Sequence, residues 1–431
     1  MSVATAPLQV TPATQLDGRL ELPSDKSIAH RALIVNALSG GPAVVEVRSP
    51  GRDVLSTASC LRELGVRVEE SRGGAITRFA ISGVPSRDAT IDCGNSGTTM
   101  RLLAGAVAGL GLTVTLDGDA SLRSRPMERV ATLLRATGAD VTTTDGHAPM
   151  TIVGRDALRA AVHDLPVASA QLLGAAVLAA LSADGETRIT SPGSVRDHTE
   201  RMLAAAGIRI DRVGPVTRVS GPARPRPMSI TVPGDPSSAA PWLLAAALHP
   251  GADVTLAGVA LNPTRAAFVD LLRRMGADIT ETVTNSSGPE PVGDLRVRGR
   301  GTLRAVAIDG DEAAGLIDEL PLVGIAMAAA DGTSELRGAA ELRVKESDRI
   351  AATVAGLTAI GASADELPDG WRVTPGTPRE ARIVTHGDHR IAIAFAVAAL
   401  AGVAASVELD DPDCVAVSYP TFWTDLGAVA T

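Results

Sequence analysis

The stretch Leu61–Val68, "LRELGVRV", combines an amphipathic helix end, a glycine and a β-branched restart. It returns as "LRATGADV" around Gly138, "LAAAGIRI" around Gly207, "LRRMGADI" around Gly276 and "LTAIGASA" around Gly361, with a weaker "WTDLGAVA" around Gly427. The glycines recur at about seventy residues, with one longer interval between Gly276 and Gly361. Leu-x-x-x-Gly is common grammar for a helix that stops at a glycine. Six occurrences at near-regular spacing indicate an internal repeat instead.

Upstream of each glycine the pattern extends. A strand leads into a polar turn ("PSDKSIAHR", "DCGNSGTTMR", "LPVASAQLL", "PGDPSSAAP", "DGDEAAGLIDELP", "THGDHRIAIA") and then into an Ala/Leu-rich helix. A second strand and a second polar loop follow, as in "PGRD", "ASLRSRP", "SVRDHTE", "LNPTRA" and "LRVKESDR". Each repeat therefore reads strand, helix, strand, helix, strand, with further short strands such as Val216–Val219: an α/β chain. "LELPSDKSIAH" and "ITVPGDPSSAA" match in pattern about two hundred residues apart and divide the chain into two halves of three repeats. The expected domains are 1–23 plus 241–431, and 24–240, with the active site in the cleft between them. The residues alone leave open which half owns the first 22.

Hydrophobic residues make up 45% of the chain but aromatics only 2%, so the core has to be built from Ala, Val, Leu and Ile. A net charge of −9 excludes a broad non-specific nucleic-acid surface, so phosphate recognition has to come from a local cluster of Lys and Arg. Cys60, Cys93 and Cys414 are far apart and odd in number. They give neither a disulfide framework nor zinc spacing and suit a reducing cytoplasm. The first fourteen residues lack a basic n-region and a continuous apolar h-region, so no signal peptide is read. Ile391–Ala405, the longest apolar run, is short for a membrane span and is broken by Gly402. It reads as a buried helix running into a strand, and the chain as soluble.

In every repeat the polar residues gather at a helix N-terminus, where free N–H groups and the positive end of the helix dipole favour anions. Lys26, Arg31, Asn95, Arg101, Gln171 and Arg390 stand in these turns; Arg123, Arg125, Arg196, Arg343, Lys345 and Arg349 stand in the second loops. "LPSDKSIAHR" (Leu22–Arg31) looks like a phosphate cradle but lacks the glycine spacing of a nucleotide P-loop. If the halves face each other, the turns make a positive cleft suited to two small, highly anionic substrates. Each residue also has a plainer reading. Arg125 before Pro126 suits a surface cap, Ser347 or Asp348 a helix cap beside a solvated Lys345, and Asp388-His389-Arg390 a capping turn with a core-facing His. His198 suits a structural role, and Asn95, Thr98 and Thr99 suit backbone partners at a helix start. Taken singly the residues leave both readings open; recurrence at equivalent repeat positions favours the anion sites.

Taken in order, "LPSDKSIAHR", "GNSGTTMR", "GDASLRSRPM", "ASAQ", "RDHTE", "PGDPSS", "IDELP", "LRVKESDR" and "GDHRIA" resemble the 5-enolpyruvylshikimate-3-phosphate synthase family over residues 16 to 428. The wording of "GDASL", "RDHTE" and "LRVKESDR" is most similar to the bacterial class that includes glyphosate-tolerant enzymes. The resemblance implies an inverse α/β barrel: two domains, each of three βαβαββ repeats, closing around the substrates. It implies transfer of the enolpyruvyl group of phosphoenolpyruvate to the 5-hydroxyl of shikimate 3-phosphate, with release of phosphate. Addition and elimination proceed through a tetrahedral intermediate, with no cofactor and no metal.

By the same resemblance, Lys26 meets phosphoenolpyruvate while Ser27 and Arg31 hold shikimate 3-phosphate, and Ser169, Ala170, Gln171 and Arg196 contact its phosphate and ring. Arg125, Arg349 and Arg390 clamp the phosphate and carboxylate of phosphoenolpyruvate, where bidentate guanidinium geometry fits both groups. Asn95, Gly97 and Gln171 adjoin that ligand. Asp318 binds the ring hydroxyls and takes the 5-hydroxyl proton, Glu346 protonates the methylene carbon, and Lys345 assists while also touching shikimate 3-phosphate. A base near the hydroxyl, an acid near the alkene carbon and cations for developing charge are what the chemistry requires. A monomer without nucleic-acid or membrane partners is expected, with glyphosate as an inhibitor.

Two departures stand out. Many members carry a Lys near the C-terminus where "AVSYPTF" has Val417, and Gly97 stands where tolerant members can have Ala. The rival transferase acting on UDP-N-acetylglucosamine bears a reactive Cys five residues before the Arg of its Arg-Pro step, and Ala120 occupies that place here. RNA 3′-phosphate cyclases share similar repeats but need a nucleotide-accepting His; His389 sits in a shikimate-type pattern. A non-catalytic protein binding phosphorylated metabolites would keep the anion sites without Lys26, Asp318, Lys345 and Glu346 together.

Overall fold

The computed structural model describes residues 6–431, so part of the N-terminal stretch discussed above, residues 1–5, lies outside the described residues. Gly65, Gly138, Gly207, Gly276 and Gly361 all have positive φ, between +85° and +106°. They end the helices Arg52–Glu63, Glu128–Ala136, His198–Ala205, Ala267–Arg274 and Arg349–Ala359. In each, the amide after the glycine bonds back to the leucine carbonyl of the repeat, as in Val66 to Leu61 (3.0 Å) and Ile208 to Leu203 (2.9 Å). The repeat is thus written by one helix-ending motif, which needs a left-handed residue at its turn and an apolar residue at each end.

Gly427 departs from this reading. It lies inside the helix Phe422–Val429, and Ala430 beyond it is extended because it bridges Leu16. A chain that continues into a bridge has no use for a left-handed turn there.

The repeat containing Gly138 shows the whole plan. Strand Ala89–Asp92 leads through helix Gly97–Val107 to the parallel strand Thr113–Asp117. After helix Glu128–Ala136, strands Asp140–Thr144 and His147–Val153 return antiparallel. The same strand order recurs in other four-stranded sheets, and the last repeat is completed by the N-terminal strand Leu8–Val10 pairing with Ser406–Leu409. This is the inverse α/β barrel plan that the resemblance implies.

The first helix of each repeat is buried almost all round: Leu172–Ala180 in Ala170–Ala180, Ser237–Leu248 in Pro236–Leu248, all of Leu320–Ala328, and every residue of His389–Leu400 but Arg390. The expected Ala-rich helix running into a strand is therefore His389–Leu400 followed by Ser406–Leu409. Second helices are amphipathic; in Ala267–Arg274 only Phe268, Val269, Leu271 and Leu272 are buried. Such patterning puts the first helices inside, with the sheets and second helices around them. Small residues set the spacing. A Cβ on Gly105 would stand 2.2 Å from the Ala175 carbonyl oxygen, so helices Gly97–Val107 and Ala170–Ala180 touch backbone to backbone. Four aromatics form one cluster, where Trp242 Nε1 donates to Tyr419 Oη (2.8 Å), Phe422 packs on both and Trp423 adjoins Phe422.

Two compact domains result. Domain I holds the described residues up to Pro23, Pro233–Asn285 and Pro291–Thr431; domain II holds Ser24–Val232 and Ser286–Glu290. The chain leaves domain II at Val232, ahead of helix Pro236–Leu248, rather than at 240, because that helix packs as one piece on its own sheet. The two matching phrases exchange their strands. Asp17–Glu21, before helix Lys26–Ser39, pairs in parallel with Asp253–Ala260 of domain I, whereas Ile230–Thr231, before helix Pro236–Leu248, pairs in parallel with Gly40–Arg48 of domain II.

Candidate active site

In domain II the candidate residues stand on three first-helix N-termini. Asp25 caps helix Lys26–Ser39, accepting from Ile28 N at 2.9 Å, and so orients Lys26 as its first residue. Lys26 Nζ donates to Asp53 Oδ2 at 3.1 Å, and although burial raises the Asp53 pKa, Lys26 outweighs it and holds the carboxyl below its usual range. Arg31 is buried: its Nε donates to Thr199 Oγ1 (2.7 Å), its Nη1 to the Ser27 carbonyl (2.9 Å) and its Nη2 to the Ala170 carbonyl (3.4 Å). Burial brings Arg31 down to about 10 against the pull of Glu200 and Asp25, with Arg196 adding like-charge repulsion. The guanidinium stays cationic but desolvated, a state that an arriving anion relieves.

The other two helix starts are joined side chain to side chain. Ser96 caps Gly97–Val107 and Ser169 caps Ala170–Ala180. Asn95 Oδ1 accepts from Arg125 Nη2 (2.8 Å) while its Nδ2 donates to Asp119 (2.9 Å). Arg101 Nη1 donates to Gln171 Oε1 (2.6 Å), and Gln171 Nε2 to Thr98 Oγ1 (2.9 Å). Arg101 falls to about 10 through burial first and then through Arg125 and Arg129. A Cβ on Gly97 would lie 2.9 Å from Arg101 Nη1 and 3.5 Å from Arg125 Nη1, so the absence of a side chain is what lets both guanidinium groups approach.

Domain I repeats the arrangement with more acid. Asp388 caps helix His389–Leu400 and also binds Arg349, whose Nε lies 2.8 Å from Asp388 Oδ2 with both side chains buried. Arg349 Nη2 reaches Glu346 Oε2 at 2.7 Å, and Ser347 Oγ donates to Asp388. Burial lowers the Arg349 pKa, yet Asp388 and Glu346 outweigh it and hold the guanidinium above its ordinary value; Asp318 is within electrostatic reach. Arg390 Nη1 stands 3.9 Å from Glu319 Oε1, and Glu319 accepts from Ser237 Oγ. Arg265 Nη2 in turn donates to Ser237 Oγ (2.6 Å). Lys345 is exposed and Val417 half-buried.

Several plainer readings are also met. Asp348 caps its helix, Asp388 caps the turn beside a buried His389, and His198 is buried against Glu290. For Asp388 capping and cation binding are one role. Sequence reasoning missed Asp53, Asp119, Arg265 and Glu319 as partners. "PGRD" and "GDAS" showed the two Asp residues, but nothing local says which cation each meets.

Among the described residues no three His, Cys, Asp or Glu side chains gather as metal ligands would, and no helix is long and apolar enough to cross a membrane. The sequence profile of the family described as EPSP synthase (3-phosphoshikimate 1-carboxyvinyltransferase) matches residues 10–426. A protein of Roseiflexus sp. (strain RS-1) named 3-phosphoshikimate 1-carboxyvinyltransferase is 46% identical, with 98% of each chain covered. One of the same name from Acidithiobacillus ferrooxidans is 46% identical over 96% of this chain and 95% of its own. The structure of EPSP synthase from Acinetobacter baumannii superposes with a TM-score of 0.87 at 36% identity, covering 99% of this chain and 98% of that one. The enolpyruvyl transferase NikO from Streptomyces tendae shares the fold, with a TM-score of 0.76 at 19% identity over 98% of this chain and 97% of that one. The chain belongs to the EPSP synthase family, the 3-phosphoshikimate 1-carboxyvinyltransferases of the shikimate pathway.

Proposed function

We propose that the candidate residues divide the family's reaction as follows. Lys26, Ser27, Arg31, Ser169, Ala170, Gln171 and Arg196 bind shikimate 3-phosphate, together with Asp318 and Lys345. Lys26, Asn95, Gly97, Arg125, Gln171, Arg349 and Arg390 bind phosphoenolpyruvate. Asp318 takes the proton of the 5-hydroxyl as its oxygen bonds to C2 of phosphoenolpyruvate, and Glu346 delivers a proton to the methylene carbon, giving a tetrahedral adduct. Breaking the C–O bond to phosphate and returning the methyl proton to Glu346 restores the double bond in the product. Lys26 and Lys345 offset negative charge as it develops.

The observation that carries this reading is the triad of helix N-termini in domain II, where Lys26, Arg31 and Arg101 stand on capped, buried helices and Arg125, from the following loop, reaches Asn95 beside one of them. Desolvated guanidinium groups at helix starts suit doubly charged phosphates. Glyphosate, itself a small dianion, is proposed to compete for the phosphoenolpyruvate groups. A monomer is proposed, and the three buried free cysteines suit a reducing cytoplasm.

The test is phosphate release from phosphoenolpyruvate with EDTA present, offering shikimate 3-phosphate or UDP-N-acetylglucosamine in separate reactions. Release with shikimate 3-phosphate alone is expected. Release with the nucleotide sugar alone would overturn the acceptor.

A further inference from the structure

Strands Asp278–Asn285 and Val292–Arg298 form a hairpin of domain I, yet five of the six residues joining them, Ser286–Glu290, belong to domain II. The joining stretch "SSGPE" is polar and mostly exposed until its last residue. Glu290 is buried, and its Oε1 lies 2.7 Å from His198 Nδ1, with the two side chains 1% and 0% exposed. A hairpin tip has no folding need for a buried carboxylate, and desolvating one costs several kcal/mol unless a partner compensates. The partner here is the first residue of helix His198–Ala205.

That helix start lies against the phosphate-binding group. Thr199, next to His198, accepts from Arg31 Nε at 2.7 Å, and Arg196 is two residues before His198. Glu290 is also among the carboxylates whose charge reaches Arg31. Glu290 therefore meets the site indirectly, through the ring it holds and the turn that ring opens.

We infer that Glu290 is a positioning residue for shikimate 3-phosphate: by holding the His198 ring it fixes the first turn of helix His198–Ala205, which aims Arg31 through Thr199 and presents Arg196. The inference rests on the assignment of Arg31 and Arg196 to that substrate. Truncating the Glu290 carboxylate leaves a buried ring nitrogen to be satisfied by moving the turn.

The test compares wild type, E290A and E290Q by calorimetric titration with shikimate 3-phosphate and by steady-state kinetics in both substrates. E290A is expected to raise the Kd and KM for shikimate 3-phosphate about tenfold or more, with kcat and the KM for phosphoenolpyruvate at saturating co-substrate within about threefold. E290Q keeps an acceptor oxygen and is expected to recover most of the affinity. H198A, which removes the donor, should reproduce the selective defect and serves if E290A does not fold. Unchanged shikimate 3-phosphate affinity in E290A or H198A, or equal losses for both substrates, would overturn the inference. Failure of the wild type to bind shikimate 3-phosphate would instead overturn the substrate assignment on which it rests.

Discussion

Arg349 is held by two carboxylates at once, Glu346 Oε2 at 2.7 Å from its Nη2 and Asp388 Oδ2 at 2.8 Å from its Nε. Burial pushes the Glu346 carboxyl up, but Arg349 and then His389 outweigh it, so Glu346 is held ionised. A residue proposed to deliver a proton must therefore acquire one. The carboxylate of phosphoenolpyruvate, placed on Arg349, would take over the guanidinium edge that Glu346 occupies and weaken the charge that holds that carboxyl down.

Proton uptake on binding phosphoenolpyruvate should thus be greater in the wild type than in E346Q. Calorimetry in buffers of different ionisation enthalpy measures this, using 5-deoxyshikimate 3-phosphate as a companion that lacks the accepting hydroxyl. E346Q should also lower turnover by roughly 10²–10⁴-fold with shikimate 3-phosphate affinity intact. Equal uptake in the two proteins would rule out displacement of Glu346.

Gly97→Ala places a methyl group 2.9 Å from Arg101 Nη1, which Gln171 holds at 2.6 Å, so the guanidinium must shift and strain that bond. We expect the KM for phosphoenolpyruvate to rise severalfold and the inhibition constant of glyphosate to rise about tenfold or more. An unchanged inhibition constant would show that this edge of the site does not limit glyphosate.

His30 is fully buried with Nδ1 2.6 Å from Thr57 Oγ1, and desolvation lowers its pKa from 6.5 to about 3. Unfolding therefore takes up one proton between these values. Stability from this group is complete above pH 6.5 and declines as pH falls toward 3, by about 1.4 kcal/mol per unit within the window. Urea midpoints from pH 6.5 down to 4 should fall more steeply in the wild type than in H30N. Parallel slopes would mean that His30 titrates normally.

Two glycines should respond oppositely to alanine. At Gly105 the new Cβ meets the Ala175 carbonyl oxygen at 2.2 Å and its Cα at 2.7 Å; both are backbone, so two helices must part. We expect a loss of about 3 kcal/mol or more. Gly427 is helical with nothing within 4 Å of the added Cβ, and G427A should be neutral or stabilising by up to about 1 kcal/mol. Thermal unfolding of the two variants checks both.

The repeat was legible because its marks are local. A glycine at C′ bonds back within six residues, and Asp25, Ser96, Ser169 and Asp388 cap helices two or three residues on. The apolar run Ile391–Ala405 showed that one of the first helices would be buried. The candidate cations were legible for the same reason, since each stands within a few residues of a helix start.

Tertiary structure alone decided what depends on distant partners. Strand exchange between Asp17–Glu21 and Ile230–Thr231 is invisible locally, because both phrases read the same and only sheet pairing distinguishes them. Gly427 kept its phrase but lost its turn to a bridge with Leu16. Lys26 met Asp53, Gln171 met Arg101 and Glu290 met His198 across 27, 70 and 92 residues. Backbone geometry is set by a few neighbouring side chains, so sequence determined the elements and their ends. The protonation and aim of a charged group are set by whatever folding brings within a few ångströms, and for Arg31, Glu346 and Arg349 that is a property of the packed domain alone.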